Sequence, residues 1–243
     1  MKRRDQQGST LVIVLVVLLL VIIIGTLAIR QSISSLKLVT NNQIQTLLLQ
    51  SSDAALLALQ NPNNTPDIAA ANGIVGFFRN EDNYDKELIL CFRGDQPFSL
   101  SNASWLYWHN ATPQRQKMAT QGGACSDDDK DVAGRKAVVT QIHIKRATGS
   151  STQPFADLAR GTDAVNAKTE QSLRLQVYVT SVMKGLATSK SDLFDSRNGC
   201  LNQSIAPPVG VQGLIACLKE KKVLYSTQVA EYRFLSDFEP SGS

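Results

Sequence analysis

Residues that do chemistry at neutral pH are scarce: the 243-residue chain has two histidines, His109 and His143. It has no G-x-S-x-G nucleophile turn, no H-E-x-x-H zinc motif and no glycine-rich phosphate loop, which excludes the enzyme classes that depend on those motifs. His143 alternates to the polar face of a predicted strand and His109 lies in a loop, so neither is placed as a catalytic base, and no catalytic residue is assigned. Paired C-x-x-C spacing is also absent, which argues against a thiolate metal site. Net charge is only +4, and residues 1–8, with Lys2, Arg3 and Arg4 against Asp5, carry +2 of it. So balanced a remainder leaves no electrostatic footprint for nucleic acid. No internal repeat is evident.

Charge is missing altogether between Asp5 and Arg30. Residues 11–24 are fourteen apolar residues in a row, and 11–29 gives nineteen if Gly25 and Thr26 are included. At about 1.5 Å per residue that length matches the ~30 Å hydrocarbon core of a bilayer. The basic prefix should stay in the cytoplasm, placing the chain beyond residue 29 on the far side. A cleaved signal peptide shares this start, but its apolar region is shorter, and Thr26-Leu27-Ala28 is a poor small-x-small site. An uncut anchor fits the hydrophobicity but leaves Gly8 unexplained.

Proline and glycine are absent from 31–60, where Ile33, Leu36, Ile44, Leu47, Leu48, Ala55 and Leu59 fall mostly at helical spacing. The spacing predicts one helix from about residue 10 to Gln60, roughly 75 Å long. Asn61-Pro62-Asn63-Asn64-Thr65-Pro66 then ends it.

The basic leader, Gly8 before a small residue, the apolar run and its amphipathic continuation together resemble the type IV prepilins over residues 1–60. The resemblance implies cleavage by a prepilin peptidase between Gly8 and Ser9 and methylation of the Ser9 α-amine. Most pilins carry a glutamate as the fifth mature residue, which pairs with the N-terminal amine of the subunit that entered the fibre before it. Here the fifth residue is Ile13. An unpaired carboxylate inside a membrane is expensive, and a first subunit has no earlier neighbour to pair with. Lacking the acid, the chain resembles the PilX-type minor pilins, and the GspK-type pseudopilins related to them, both associated with filament tips. Implied partners are other minor pilins, the major pilin, the prepilin peptidase, the inner membrane and a tip adhesin. The implied location is the inner membrane with a periplasmic domain, then the pilus tip. Two alternatives remain: a type II secretion pseudopilin, and a membrane-anchored periplasmic enzyme or binding protein.

Beyond the helix, residues 61–86 read as a linker and 87–243 as one β-rich domain. Leu173, Leu175, Val177 and Val179 alternate with polar residues, as do Val138, Thr140, Ile142 and Ile144; Leu88, Leu90 and Phe92 form a shorter run, and Ala230, Tyr232 and Phe234 suggest a last strand. The expected fold is α+β, a long N-terminal helix packed on an antiparallel sheet with long loops. Residues 95–136 and 146–169 read as polar loops, and 214–221 as a short helix.

Four cysteines beyond the span, Cys91, Cys125, Cys200 and Cys217, favour two disulfides in an oxidising compartment. Of three pairings, the sequential one closes the shortest loops, and the sequence leaves the choice open. Trp105, Tyr107 and Trp108 gather in one loop as a partner contact if exposed, or as packing if covered. The run from Asp127 to Asp131 offers calcium-type oxygen ligands, yet it lacks the glycine turn and distal glutamate of an EF-hand. It reads first as a solvated acidic loop, with calcium as the alternative and no other cofactor expected.

Overall fold

A computed structural model describes residues 9–94, 98–109, 112–117, 122–130, 134, 136–147, 173–196 and 198–234, with the backbone alone at 9–10, 33–38, 109 and 112–117. The chain divides into two compact units, Met1–Thr46 and Leu47–Ser243.

The described part of the first unit is helical. Helix α1 runs unbroken over Ser9–Leu59, one residue short of the predicted end. Its large apolar residues from Leu11 to Ile29 are all exposed, between 46% and 71%. Being apolar on every face, such a helix needs a non-aqueous surrounding. Among the described residues, one stretch, Leu11–Ser32, is long and apolar enough to cross a membrane.

The second unit is built on a six-stranded antiparallel sheet: β1 (Glu87–Cys91), β2 (Ala103–His109), β3 (Thr112–Lys117), β4 (Val138–Arg146), β5 (Leu173–Met183) and β6 (Tyr225–Phe234), in the order β3-β2-β1-β4-β5-β6. The predicted α+β class holds, with all four expected strands present. β4 and β5 pair along nine residues, from Val138 opposite Met183 to Arg146 opposite Leu175. Alternation sends Leu88, Leu90, Ile142, Ile144, Leu175, Val177 and Val179 to one face, where they meet the C-terminal turns of α1. Along α1 the buried positions among the described residues are Leu48, Ser51, Ser52 and Ala55, which is the i, i+3, i+4, i+7 spacing of one helix face.

Two hydroxyls on that helix face enter the core and are satisfied there. Ser51 Oγ and Thr140 Oγ1 lie 2.9 Å apart, Thr140 Oγ1 and Ser181 Oγ 2.8 Å, and Ser181 Oγ and Ser52 Oγ 2.7 Å; Ser52 then donates to the Leu48 carbonyl at 3.1 Å. Each hydroxyl can donate once along this chain, so all are paired, and the chain fixes the register of α1 on the sheet. Thr140→Val removes its middle member while keeping the side chain's shape. The expected loss is about 1–3 kcal/mol, read as a lower urea midpoint with an unchanged slope.

Residues 61–86 are more than a linker. They form α2 (Thr65–Ala69), α3 (Ile74–Arg79) and a 3-10 turn over Glu81–Asn83. Ile68, Ile74, Val75, Phe77 and Phe78 are buried against the same sheet face as α1. Pro66 in the first turn of α2 suits a helix start, where its missing amide proton is not needed. Part of the stretch read as loop is also folded: β2 and β3 pair in register from Ser104–Lys117 to His109–Thr112. Most of the second expected loop, 146–169, lies outside the described residues.

The opposite sheet face is covered by α4 (Lys190–Phe194), α5 (Leu214–Glu220) and a 3-10 turn at Cys200–Asn202. Val139, Val182, Leu193, Leu201, Leu214 and Leu218 form the core there, so the predicted helix at 214–221 is part of this cover.

Candidate functional site

Ser9 opens α1, and Gly8 lies outside the described residues. Ile13 is 58% exposed, within the run 11–24 in which every residue is apolar. No carboxylate occurs between Asp5 and Asp53, so the whole membrane-length part of α1 carries no acid. An amine brought alongside this segment would find no charged partner on it.

Both disulfides are present, Cys91–Cys125 and Cys200–Cys217, which is the sequential pairing. They close spans of 34 and 17 residues, each a constraint of about 3–4 kcal/mol on the unfolded chain. At Gly123, two residues before Cys125, an added Cβ would sit 1.9 Å from the Ile89 carbonyl oxygen and 2.3 Å from the Ser104 nitrogen. Only glycine lets the first disulfide loop lie this close to β1 and β2.

Between the two disulfides lies a buried polar cluster that alternation alone does not reveal. Glu87 and His143 are 3% and 0% exposed, although sequence alternation puts His143 on the polar face. That face is covered by the C-terminal helices, which turns its polar residues inward. His143 Nδ1 lies 2.5 Å from Glu87 Oε1, Ser204 Oγ donates to Glu87 Oε2 at 2.5 Å, and the Ile205 amide donates to Glu87 Oε1 at 2.9 Å. Gln141 Nε2 donates to the Leu201 carbonyl at 2.6 Å and lies 2.7 Å from His143 Nε2, while Gln141 Oε1 accepts from the Cys125 amide at 3.0 Å. With the amide so placed, His143 Nε2 accepts and Nδ1–H donates to Glu87. Burial pushes the Glu87 carboxyl up, but the hydrogen bonds from His143, Ser204 and Ile205 outweigh it and hold the group below its usual range.

Serine, histidine and glutamate thus share one cluster, but in the wrong order for a nucleophile. Ser204 donates to the acid, and both imidazole nitrogens are engaged elsewhere, so the imidazole does not face the hydroxyl. The cluster joins β1 and β4 to the loops that carry Cys125 and Cys200.

The aromatic trio lies on strand β2, not on a loop, and the strand splits it. Trp105 sits opposite Leu88 and packs partly buried against the α1 side, with Tyr107 beside it at 5.1 Å between ring centroids. Trp108 points to the other face by strand alternation. Lys86 Nζ lies 4.2 Å above the Trp105 ring. All three residues are half-buried, and the strand divides them between its two faces.

The acidic run has cationic partners from its own chain. Asp129 takes Arg93 Nε at 2.6 Å and Nη2 at 3.0 Å, and Asp127 takes Lys190 at 2.5 Å. Lys184, 7% exposed, donates to the Asp127 and Asp129 carbonyls. Burial pushes the Asp129 carboxyl up, and Arg93 with Ser126 more than offsets that. Cys91, Cys125 and Asp129 bring potential ligand atoms within 4.8 Å of one another, but both sulfurs are bonded in the disulfide and Arg93 holds the carboxylate. Asp131 lies outside the described residues.

Compared with family models, curated proteins and solved structures, the chain finds no match in any of the three.

Proposed function

We propose that this chain is a minor pilin of the PilX type, which joins a tip complex and helps prime assembly of the type IV pilus. The observation that carries the reading is α1: one 51-residue helix that begins at Ser9, is apolar on all faces through Ile29 and continues without a break into a disulfide-bonded sheet unit. A signal peptide has no reason to share its helix with the mature domain, whereas a subunit that changes surroundings from lipid to fibre does.

The mechanism is physical. The apolar helix stores the subunit in the inner membrane with its sheet unit in the periplasm. Cleavage after Gly8 removes the charged leader, and Ser9 is then methylated. The helix next exchanges lipid for neighbouring pilin helices, which offer it the same apolar contact. Gly25, whose position has open space around it, is where the helix bends most easily during that transfer. Ile13 leaves the subunit with no carboxylate in want of an earlier neighbour, the condition a first subunit has to meet. A tip adhesin is a further partner on this reading.

Deleting the gene should abolish surface pili and twitching while leaving protein secretion intact. Retained piliation with failed secretion would give the chain to a type II secretion filament instead. Introducing Ile13→Glu should lower the number of pili more than their length; unchanged piliation would remove the tip assignment.

A further inference from the structure

We propose that the outer edge of β6 pairs with the same edge of a second copy of this chain, antiparallel and centred on Tyr232. β6 is the last strand of the sheet, and among the described residues it pairs with β5 alone. An edge strand presents a row of backbone N–H and C=O groups that another extended strand matches in register. The two edges of this sheet are not alike. β3, on the far side, carries Pro113 together with Arg115 and Lys117, and a proline with cations blocks strand addition. β6 runs over Tyr225–Phe234 with no proline and no lysine.

The side chains of β6 identify the partner. Val229, Glu231 and Arg233 share one face by alternation, and all three are exposed. Glu231 and Arg233 are the only charged residues of the strand. A two-fold axis normal to the sheet sets one residue opposite its own copy, and residues equally far from it on either side opposite each other. Centred on Tyr232, the axis places Glu231 opposite Arg233 and Arg233 opposite Glu231, so one contact makes two ion pairs. On the α1 side it sets small Ala230 opposite large Phe234, again twice. Centred on Glu231 or on Arg233 instead, it sets like charges against each other, which is unfavourable. Glu231 also meets Arg174 of its own chain at 3.6 Å, with 46% of its side chain exposed, and a carboxylate has lone pairs for a second cation.

The same axis reverses the helix that lies on the sheet. Ser52 bonds with Ser181, and Gln60 donates to the Tyr232 hydroxyl at 3.2 Å, so the last turns of α1 run along β5 and β6. The two-fold sets these turns antiparallel in the two copies. A fibre whose subunits all point one way holds no such pair, so on the function proposed above the contact joins two fibres rather than neighbours in one. The paired stretch, Ala230–Phe234 from each copy, is short and makes a weak, reversible contact.

The test uses the full-length chain in detergent. Its four cysteines are bonded in pairs, so an introduced thiol reacts alone. Opposite residues lie about 4.5–5.5 Å apart and diagonal ones about 7–8 Å, and only the former can close a disulfide. Under mild oxidation a mixture of Glu231→Cys and Arg233→Cys chains should cross-link, and either chain by itself should do so at least about fivefold less. Sedimentation should show wild type exchanging between monomer and dimer, Glu231→Arg as monomer, and the double swap Glu231→Arg with Arg233→Glu as dimer again. Circular dichroism should be the same for all of them, since both side chains are exposed. A mixture that cross-links no better than its components would overturn the pairing, and so would a double swap that stays monomeric. Either result would leave the pilin reading standing, which is read independently from the N-terminal peptide.

Discussion

Gly8→Arg should leave the chain at its full length in the inner membrane and remove it from sheared pili. On the pilin reading the peptidase needs the glycine, so the leader with Lys2, Arg3, Arg4 and Asp5 stays attached. Each retained Lys or Arg opposes passage of the helix start through the bilayer centre by about 2.5–3.5 kcal/mol on insertion scales. Three such groups outweigh what a helix gains by exchanging lipid for protein, since both surroundings are equally apolar. Immunoblots of membrane and sheared-pilus fractions read the outcome directly: a single slower band in membranes and none in the pilus fraction. A normally processed Gly8→Arg chain would mean that the glycine has no such role.

Glu87→Gln should be the most damaging conservative change in the sheet unit. The amide can still accept from Ile205, but its NH2 then faces Ser204 or His143, and one donor in a closed site is left without an acceptor. Losing the hydrogen bonds to a charged acceptor and leaving a buried donor unpaired costs about 1.5–3 kcal/mol. The pH dependence separates this from a simple packing defect. Because the Glu87 carboxyl is held below its ordinary value of 4.5 in the folded state, its stabilisation is complete above that pH and is lost as pH falls through the folded value. Urea midpoints of wild type and Glu87→Gln should therefore lie far apart at pH 7 and converge in acid. A gap that stays constant with pH would show that the ionised carboxylate is not what holds the cluster.

The legible parts of this fold are those where one periodicity dominates. The unbroken apolar run and the proline-rich stop at residue 62 define α1 to within a residue, because no competing pattern interrupts them. Alternation marks β4 and β5 because their α1-facing residues are large and apolar. Residues 61–86 escape because Pro62 and Pro66 look like linker punctuation, and the short helices after them hold too few turns for a period to show. The pair Ser51-Ser52 and Thr140 do carry a signal: hydroxyls placed in otherwise apolar registers of a helix and a strand, which implies that they meet. The Glu87–His143 cluster has no comparable mark. Alternation assigns residues to a face, and only the tertiary fold decides that the second face is covered as well.

Trp105 and Tyr107 are separated from Trp108 for a related reason. Proximity in sequence suggests one patch, whereas strand geometry sends adjacent residues to opposite sides. The acidic run is hidden in another way, since its partners Arg93, Lys184 and Lys190 come from elements distant in the chain.

Where the mature chain begins separates a prepilin-type subunit, of a pilus or of a type II secretion filament, from a cleaved signal peptide and from an uncut anchor. Mass spectrometry of the protein extracted from membranes measures this without any variant. The pilin reading predicts an N-terminal peptide that starts at Ser9 and carries one added methyl group on its amine. A chain that still begins at Met1, or one that begins after residue 28, would contradict it.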